Sequence, residues 1–360
     1  MLDAGGIAIR IESIQVYRLS LPLCEPYHLS YRSIHAIDSV WVRIELADGS
    51  TGWGESTPLP GYSDSDIDTA WDMTNNLSGA WIGKEAGTVL ATAPRGLDGF
   101  LFTALWTALE EASGGIPRLT GSVPLVGLVQ EGEVEFPAAA LQRVRKFGYK
   151  VFKVKVGFLS TEEDARRLRT LQQELCDGEH LRVDANQSLS GAQAEELLAC
   201  CIPGKIEFFE QPLPVGSWDE CAHLARFAPV PIMLDESITD LDSLDRTARS
   251  GAAHIVKLKW MKQGGMSYLC EMAEHARRLG LRIVLGNGVA GWIDNRHEAI
   301  FWLEQLQDMQ LAGEMNGYLK IRDDSALLGF ADGCLSLSSK QAEDIDPSRY
   351  QPSAMRIYKT

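Results

Sequence analysis

The sequence predicts an α/β protein: a closed barrel of seven or eight βα units, with a smaller α+β domain ahead of it. Beyond Gly121, short apolar runs alternate with amphipathic stretches of helical period. Alternation of that kind implies parallel strands with helices packed outside them. Five successive apolar runs each close on one ionisable residue, Lys155, Asp184, Glu210, Asp235 and Lys259, at intervals of 24 to 29 residues. In a closed barrel those five tips converge on one mouth, whereas an open sheet spreads them along an edge. No G-x-G-x-x-G follows a strand and no G-x-x-x-x-G-K-[ST] occurs, so a nucleotide-binding open sheet loses its usual support.

Along the chain, Ile9–Leu21 is a β-prone run, Val40–Leu46 alternates, and Asp48-Gly49-Ser50 turns into Thr51–Glu55, a pattern that predicts an antiparallel meander. Ser65–Leu77 and Leu101–Ala112 carry apolar residues at helical spacing, and Ser113-Gly114-Gly115 supplies a C-cap and linker. The barrel strands are expected at Val123–Val129, Val151–Val156, Leu181–Asp184, Ile206–Glu210, Ile232–Glu236, His254–Lys259 and Arg282–Asn287. Helices are expected between them, from Thr161–Leu175 through Met266–Gly280 to Asp294–Leu306, and an eighth strand should end near Glu314. This divides the chain into an α+β cap over 1–121, a barrel over 122–327, and a segment 328–360 that returns to the cap.

Composition narrows the function. The 34 Lys and Arg against 49 Asp and Glu leave a net charge of −15, and no run of cations interleaved with aromatics offers a phosphate-binding face, so nucleic acid is not an expected partner. Adhesion to an anionic membrane fails for the same reason. No apolar stretch approaches the ~18 residues of a membrane span, and Met1-Leu2-Asp3-Ala4-Gly5-Gly6 lacks the regions of a signal peptide, which reads as a cytoplasmic protein. Seven cysteines without a C-x-x-C pair signal neither a disulfide framework nor a zinc knuckle.

Three carboxylates, Asp184, Glu210 and Asp235, end consecutive strands. Brought together they repel unless a cation sits between them, and all-oxygen ligation favours a hard divalent ion, Mg2+ or Mn2+, with positions left for a substrate carboxylate. Lysines flank them. Lys153 and Lys155 are two residues apart and share one strand face, which inside a barrel is the inner face. An ammonium clustered with another cation has its pKa lowered toward neutrality and becomes a usable base. Lys155 and Lys259, on opposite sides of the mouth, address both faces of one carbon. The implied reaction is abstraction of the proton α to a carboxylate, with the metal stabilising the enediolate.

Val-Phe-Lys-Val-Lys-Val-Gly, Asp-Ala-Asn-Gln, Glu-Gln-Pro, Asp-Glu-Ser and Lys-Trp-Met-Lys-Gln-Gly-Gly, in that order, resemble the muconate-lactonizing-enzyme subgroup of the enolase superfamily, and Gly52-Trp53-Gly54-Glu55 is similar to its capping domain. The resemblance spans nearly the whole chain. It implies a modified (β/α)7β TIM barrel under an α+β cap, Mg2+ on Asp184, Glu210 and Asp235, and Lys155 and Lys259 as acid/base catalysts. By the same resemblance Lys153 tunes Lys155 and touches the substrate carboxylate, and homo-oligomers are common. Lys257 shares a strand face with Lys259, but the count to Gly264-Gly265 in the pattern of the family it resembles implies Lys259. Taken singly, a K-x-K, an Asp-Ala-Asn or a Glu-Gln-Pro has an ordinary structural role; their joint recurrence at five strand ends favours catalysis.

Further substrate contacts are expected from Glu314 in Gly-Glu-Met-Asn-Gly, from Asn186 and Asn287, and from Tyr27 and Arg32 in a loop Cys24–Asp38 that closes the mouth together with Ser56–Ser63. Arg32 is positioned to meet a distal carboxylate. The leading expectation is an Mg2+-dependent racemase, epimerase or cycloisomerase acting on a small carboxylate. Glu210-Gln211-Pro212 is like the racemases and cycloisomerases, whereas Pro58-Leu59-Pro60-Gly61-Tyr62-Ser63 resembles the cap loop of o-succinylbenzoate synthases and keeps a dehydration as the alternative. Dipeptide epimerases carry Asp-x-Asp where this chain reads Ile-Arg-Asp-Asp. A barrel that binds metal and carboxylate without catalysis is the reading from another class, and the intact lysine pair argues against it.

Overall fold

Residues 8–28, 33–59, 63–92, 98–129, 137–286, 290–322, 328–338 and 345–360 are described by a computed structural model, with backbone alone for Tyr27 and His28. In chain order come β1 (Ile11–His28), β2 (Ser33–Leu46) and β3 (Thr51–Ser56), then α1 (Ile67–Trp81), α2 (Ala86–Leu90) and α3 (Thr103–Ala112). The three strands form an antiparallel meander. Alternation along β1 divides its faces: Ile14 and Val16 pack with Val42, Ile44, Leu105 and Leu109 under the helices, while Tyr17, Leu19 and Leu21 join Trp41, Trp53 and Trp292 on the other side. The two glycines of Gly52-Trp53-Gly54 let β3 lie against α3. A Cβ on Gly54 would stand 2.0 Å from the Ala104 carbonyl oxygen, and one on Gly52 2.2 Å from that of Ala108.

After β4 (Gly121–Pro124) the βα units begin: β5 (Val126–Val129), α4 (Pro137–Arg145), β6 (Val151–Lys155), α5 (Thr161–Glu174), β7 (His180–Asp184), α6 (Gly191–Leu198), β8 (Ile206–Glu210), α7 (Trp218–Phe227), β9 (Ile232–Leu234), α8 (Leu241–Ser250), β10 (Ile255–Lys259), α9 (Trp260–Gln263), α10 (Met266–Arg278), β11 (Arg282–Gly286) and α11 (Trp292–Phe301). Capping boxes start three of these helices, at Ser160/Glu163, Ser190/Gln193 and Asp240/Ser243, and each satisfies two otherwise orphaned backbone N–H groups. The seven strands form one parallel curled sheet in the order β11-β10-β9-β8-β7-β6-β5.

The eighth strand is shorter than expected. It is reduced to the stretch around Gly313, which bridges to Leu125. That stretch still joins the two edges: Val126 N–H donates to Gly313 O at 3.1 Å on the β5 side, and Glu314 N–H donates to Leu285 O at 3.0 Å on the β11 side. Glu314 is thereby fixed at the inner wall.

β12 (Leu328–Ala331) and β13 (Cys334–Leu337) add to β4 in an antiparallel sheet, and β14 (Ala354–Lys359) pairs antiparallel with β1. The expected strand Val123–Val129 is therefore two strands with different partners, divided beside Pro124, which has no N–H to continue a ladder. The expected loop Cys24–Asp38 is largely a two-stranded ribbon, because Pro26 falls in a register shift between the Pro22–Ala36 and Tyr27–Ile34 pairs instead of ending the strand. The helix expected over Asp294–Leu306 is α11 followed by a π-helical turn over Trp302–Leu306. Among the described residues, no helix is long and apolar enough to cross a membrane.

Candidate active site

Lys155, Asp184, Glu210 and Lys259 are the last residues of β6, β7, β8 and β10, and Asp235 directly follows β9. Register keeps their tips level, since Lys155 pairs with Asp184 and Asp184 with Glu210. The turns beyond are held by named bonds. Asp235 N–H and Ser237 N–H donate to Gln211 Oε1 at 2.9 and 3.3 Å, and Gln211 Nε2 donates to Ser237 Oγ at 2.9 Å. Gln211 itself sits at φ 34, as Asn186 does at φ 40, left-handed backbone that costs energy away from glycine and clusters at functional turns.

Ammonium groups lie against every one of these carboxylates. Lys153 Nζ stands 2.9 Å from Asp184 Oδ2, 2.8 Å from Glu210 Oε2 and 3.1 Å from Glu314 Oε2. Lys259 Nζ stands 2.6 and 2.8 Å from the two oxygens of Asp235. One layer deeper, Lys257 Nζ meets Glu210 Oε1 in a close ion pair, lies 2.9 Å from Glu314 Oε2, and is 3.5 Å from Asp235 Oδ2. Beneath it Arg182 joins Glu314 Oε1 at 3.1 Å and Glu207 at 2.5 Å, with its guanidinium over the Phe208 ring.

Burial and charge pull these groups in different directions. Burial, then the neighbouring Asp184 charge, pushes the Glu210 carboxyl up to about 8 in spite of Lys153 and Lys257. Burial works against the Lys153 charge, yet Asp184, Glu210 and Glu314 together hold its pKa well above the ordinary value. Lys259 and Lys257 overcome burial at Asp235 and hold it far below the usual carboxylate range, and Lys153, Lys257 and Arg182 do the same for Glu314. Burial, helped by the Lys259 charge, lowers Lys262 to about 8 against the pull of Asp235, although its Nζ points at the carbonyls of Asp235 and Glu236.

Among the described residues, no acidic, His or Cys side chains are already drawn into a metal cage; lysines rest on the carboxylate oxygens instead. The donor set nonetheless suits a hard divalent cation, being three buried carboxylates offering only oxygen. Burial and the Asp184 charge, which raise Glu210, are both offset by a cation placed beside it.

Glu314 joins the cluster, and Asn186 stands at its edge, where its N–H donates to Asp184 Oδ1 at 2.9 Å and its Nδ2 to Glu236 Oε1 at 3.3 Å. Asn287 and Arg32 lie outside the described residues, as does the Tyr27 side chain. Sequence reasoning passed over Arg182, Gln211 and Glu236 and set Lys257 aside. Gln211 and Glu236 directly follow residues it had singled out, whereas nothing marks Arg182 in advance.

The cap reaches this mouth through Ser56–Leu59. Ser56 Oγ donates to Phe100 O at 2.6 Å, Thr57 Oγ1 lies 3.0 Å from Met261 Sδ, and Thr103 Oγ1 donates to Met261 O at 3.1 Å. Met261 is two residues beyond Lys259, so these bonds join the cap to the turn that follows β10. Glu110 of α3 also accepts from Met266 N–H and Ser267 N–H at 2.7 and 2.9 Å, capping α10 from the other domain.

Comparison with known proteins agrees with this architecture. The family described as "Enolase C-terminal domain-like" matches residues 135–312. N-succinyl-L-Arg/Lys racemase from Bacillus cereus is 25% identical over 363 residues, covering 94% of this chain and 95% of the racemase. o-Succinylbenzoate synthase from Thermosynechococcus vestitus is 30% identical over 238 residues, covering 64% of this chain and 70% of the synthase. The crystal structure of muconate lactonizing enzyme from Pseudomonas fluorescens complexed with muconolactone superposes with a TM-score of 0.83 at 25% identity, covering 92% of this chain and 95% of that one. The chain thus belongs to the enolase superfamily, among relatives that are named racemases, epimerases and cycloisomerases.

Proposed function

We propose that this protein is a divalent-metal-dependent isomerase that removes the proton α to the carboxylate of a small acid and returns it to the same carbon, as a racemase or epimerase. In this reading residues 1–121 cap the barrel of residues 122–327, and 328–360 return to the cap. The observation that carries it is the placing of Lys155 and Lys259 on β6 and β10, with β7, β8 and β9 and their three carboxylates between them. A carbon held above those carboxylates has one lysine on each side, which is the requirement for exchange of its two faces.

Enolase-superfamily relatives use Mg2+, and Asp184, Glu210 and Asp235 are the residues to hold it here. When bound, such an ion supplies positive charge opposite the substrate carboxylate as that group takes on charge. The remaining work falls to this chain's own side chains. Lys153, which already touches Asp184 and Glu210, donates to the substrate carboxylate. Lys155 takes the α-proton from one face while Lys259 delivers one to the other, and the roles reverse for the opposite enantiomer. Gln211 holds the Asp235 turn so that Lys259 has a fixed partner. Residues Ser56–Leu59 keep water from the carbanionic carbon.

The full-length match to a racemase supports an N-acylated amino acid as substrate class. A dehydration like that of o-succinylbenzoate synthase is the second reading, favoured by the 30% identity to such an enzyme. It uses the same proton abstraction and needs only one of the two lysines as base. Solvent-deuterium incorporation at the α-carbon decides between them, followed by mass spectrometry over N-succinyl amino acids, dipeptides, muconates and the succinylbenzoate precursor, with Mg2+ and with chelator. Metal-dependent exchange without loss of water supports the isomerase; loss of water supports the lyase. Absence of exchange with every compound while metal is bound overturns both.

A further inference from the structure

The barrel holds one more lysine than the reaction uses. Lys257 is two residues before Lys259 on the same strand face, is 2% exposed, and touches Glu210, Glu314 and Asp235. Its place is built in. Gly286, paired two residues along the neighbouring β11, leaves room for the lysine stem, and a Cβ there would fall 2.4 Å from Lys257 Cδ and 2.8 Å from its Cγ. The Lys153 and Lys259 side chains are 12% and 8% exposed, against 1% for Lys257. Lys257 is walled in.

We propose that Lys257 makes the divalent cation bind together with the substrate carboxylate instead of ahead of it. This rests on the metal-assisted reading above. With every carboxyl ionised and the base Lys155 set aside, five carboxylates, Asp184, Glu210, Asp235, Glu236 and Glu314, face four ammonium groups, Lys153, Lys257, Lys259 and Lys262, while Arg182 is balanced by Glu207. The cluster therefore carries one net negative charge. A divalent ion alone turns that into a net positive charge in a buried site, which low dielectric penalises; a monocarboxylate arriving with it restores neutrality. Without Lys257 the divalent ion alone achieves neutrality. Lys257 acts through Glu210 and is a positioning residue: it tunes how tightly the ligand set draws the ion, and it keeps Glu210 ordered before the ion arrives.

Mn2+ serves as the probe, its free concentration read by electron paramagnetic resonance, with wild type, Lys257→Met and Lys257→Arg titrated alone and in the presence of acetate. Wild type and the arginine variant are expected to bind Mn2+ weakly alone and more tightly with acetate. The methionine variant should bind Mn2+ alone about tenfold more tightly than wild type or better, the scale of one unit charge removed from a partly screened site, and acetate should add little. Equal Mn2+ affinity in wild type and Lys257→Met overturns this inference and leaves the metal reading standing. Failure of all three proteins to bind Mn2+ overturns the metal reading and this inference with it. Circular dichroism establishes that the variant is folded; should the methionine variant not fold, Lys257→Gln, which is neutral but still donates to Glu210, is expected to give the same tighter binding.

Discussion

In the proposed isomerisation, replacing Lys155 and Lys259 in turn should divide the exchange into two half-reactions. Lys259→Gln removes the ammonium that stands 2.6 and 2.8 Å from Asp235 but leaves an amide able to donate to it. Loss of a positioned acid/base costs roughly 10²- to 10⁴-fold in rate, or about 3–5 kcal/mol of barrier. Stability should change less. Stripping one partner from a buried ion pair costs about 3–5 kcal/mol, but Lys257 stays 3.5 Å from Asp235 Oδ2 and Lys262 remains nearby. With the amide also retained, about 1–2 kcal/mol is expected by urea denaturation. The assay is deuterium incorporation into each enantiomer separately. Lys259→Gln should exchange the α-proton of one enantiomer without inverting it, and Lys155→Gln that of the other. Racemisation at the wild-type rate in either variant refutes the two-lysine arrangement. Loss of the same enantiomer in both refutes the placing of the lysines on opposite faces, and points to the one-base dehydration.

Three other perturbations test the scaffold. Asp294 is completely buried, neither carboxylate oxygen has a partner among the described residues, and burial followed by Glu55 and Glu298 raises its pKa well above the ordinary value. Its contribution to stability is complete below the unfolded carboxyl pKa and is lost as pH rises toward the raised one, at about 1.4 kcal/mol per pH unit. Asp294→Asn should therefore melt higher than wild type at pH 8, with the gap closing toward pH 4; parallel melting curves would count against it. Gly54→Ala drives a methyl to within 2.0 Å of the Ala104 carbonyl and should cost about 3 kcal/mol or more in chemical denaturation. Gln211→Ala strips acceptors from Asp235 N–H and Ser237 N–H, which should cost about 2–3 kcal/mol. It should also weaken Mn2+ binding measurably; unchanged affinity would show that the turn does not depend on Gln211.

The ends of the barrel strands were legible because parallel strands buried on both sides are short apolar runs, and an ionisable residue at such a run's end stands out. β7, β8 and β10 stop at the residues expected, and β6 stops one residue short of Val156, at Lys155. The same contrast failed inside the strands. Arg182 and Lys257 lie within runs that are otherwise apolar or mixed, and what keeps them inside is the set of carboxylates they meet, Glu207 and Glu314 among them, which are distant in sequence. Glu314 was singled out, but its strand was not foreseen as a single bridge, because its place is set by Leu125 and Leu285 on either side. The ribbon of β1 and β2 was misread for a related reason. Two prolines usually end a strand, and only the pairing with β2 shows that a register shift absorbs one of them.

The layering of charge explains how one barrel serves several reactions. At the floor, Arg182, Glu207, Lys257 and Glu314 make a fixed ionic base that touches no substrate in the proposed reaction. Above it, in the proposed reaction, Asp184, Glu210 and Asp235 would hold the divalent ion that faces the substrate carboxylate, and Lys155 and Lys259 would meet the α-carbon. Those are the groups that racemisation, cycloisomerisation and dehydration substrates have in common, so the barrel has no cause to distinguish them. What differs between the substrates lies farther from the α-carbon and extends toward the cap. The cap in turn is not free to drift. Glu110 caps α10, Glu111 accepts from Trp53 N–H at 2.8 Å and pairs with Arg296 at 2.6 Å, and Thr57 and Thr103 seat against Met261. A rigid seat of this kind lets changes in the β1–β2 ribbon alter which acid fits while the carboxylates and lysines stay in register. On this argument the residues that set substrate choice should be exchangeable between relatives without loss of proton abstraction, and deuterium exchange, which needs only the barrel, should survive cap substitutions that abolish turnover of the natural substrate.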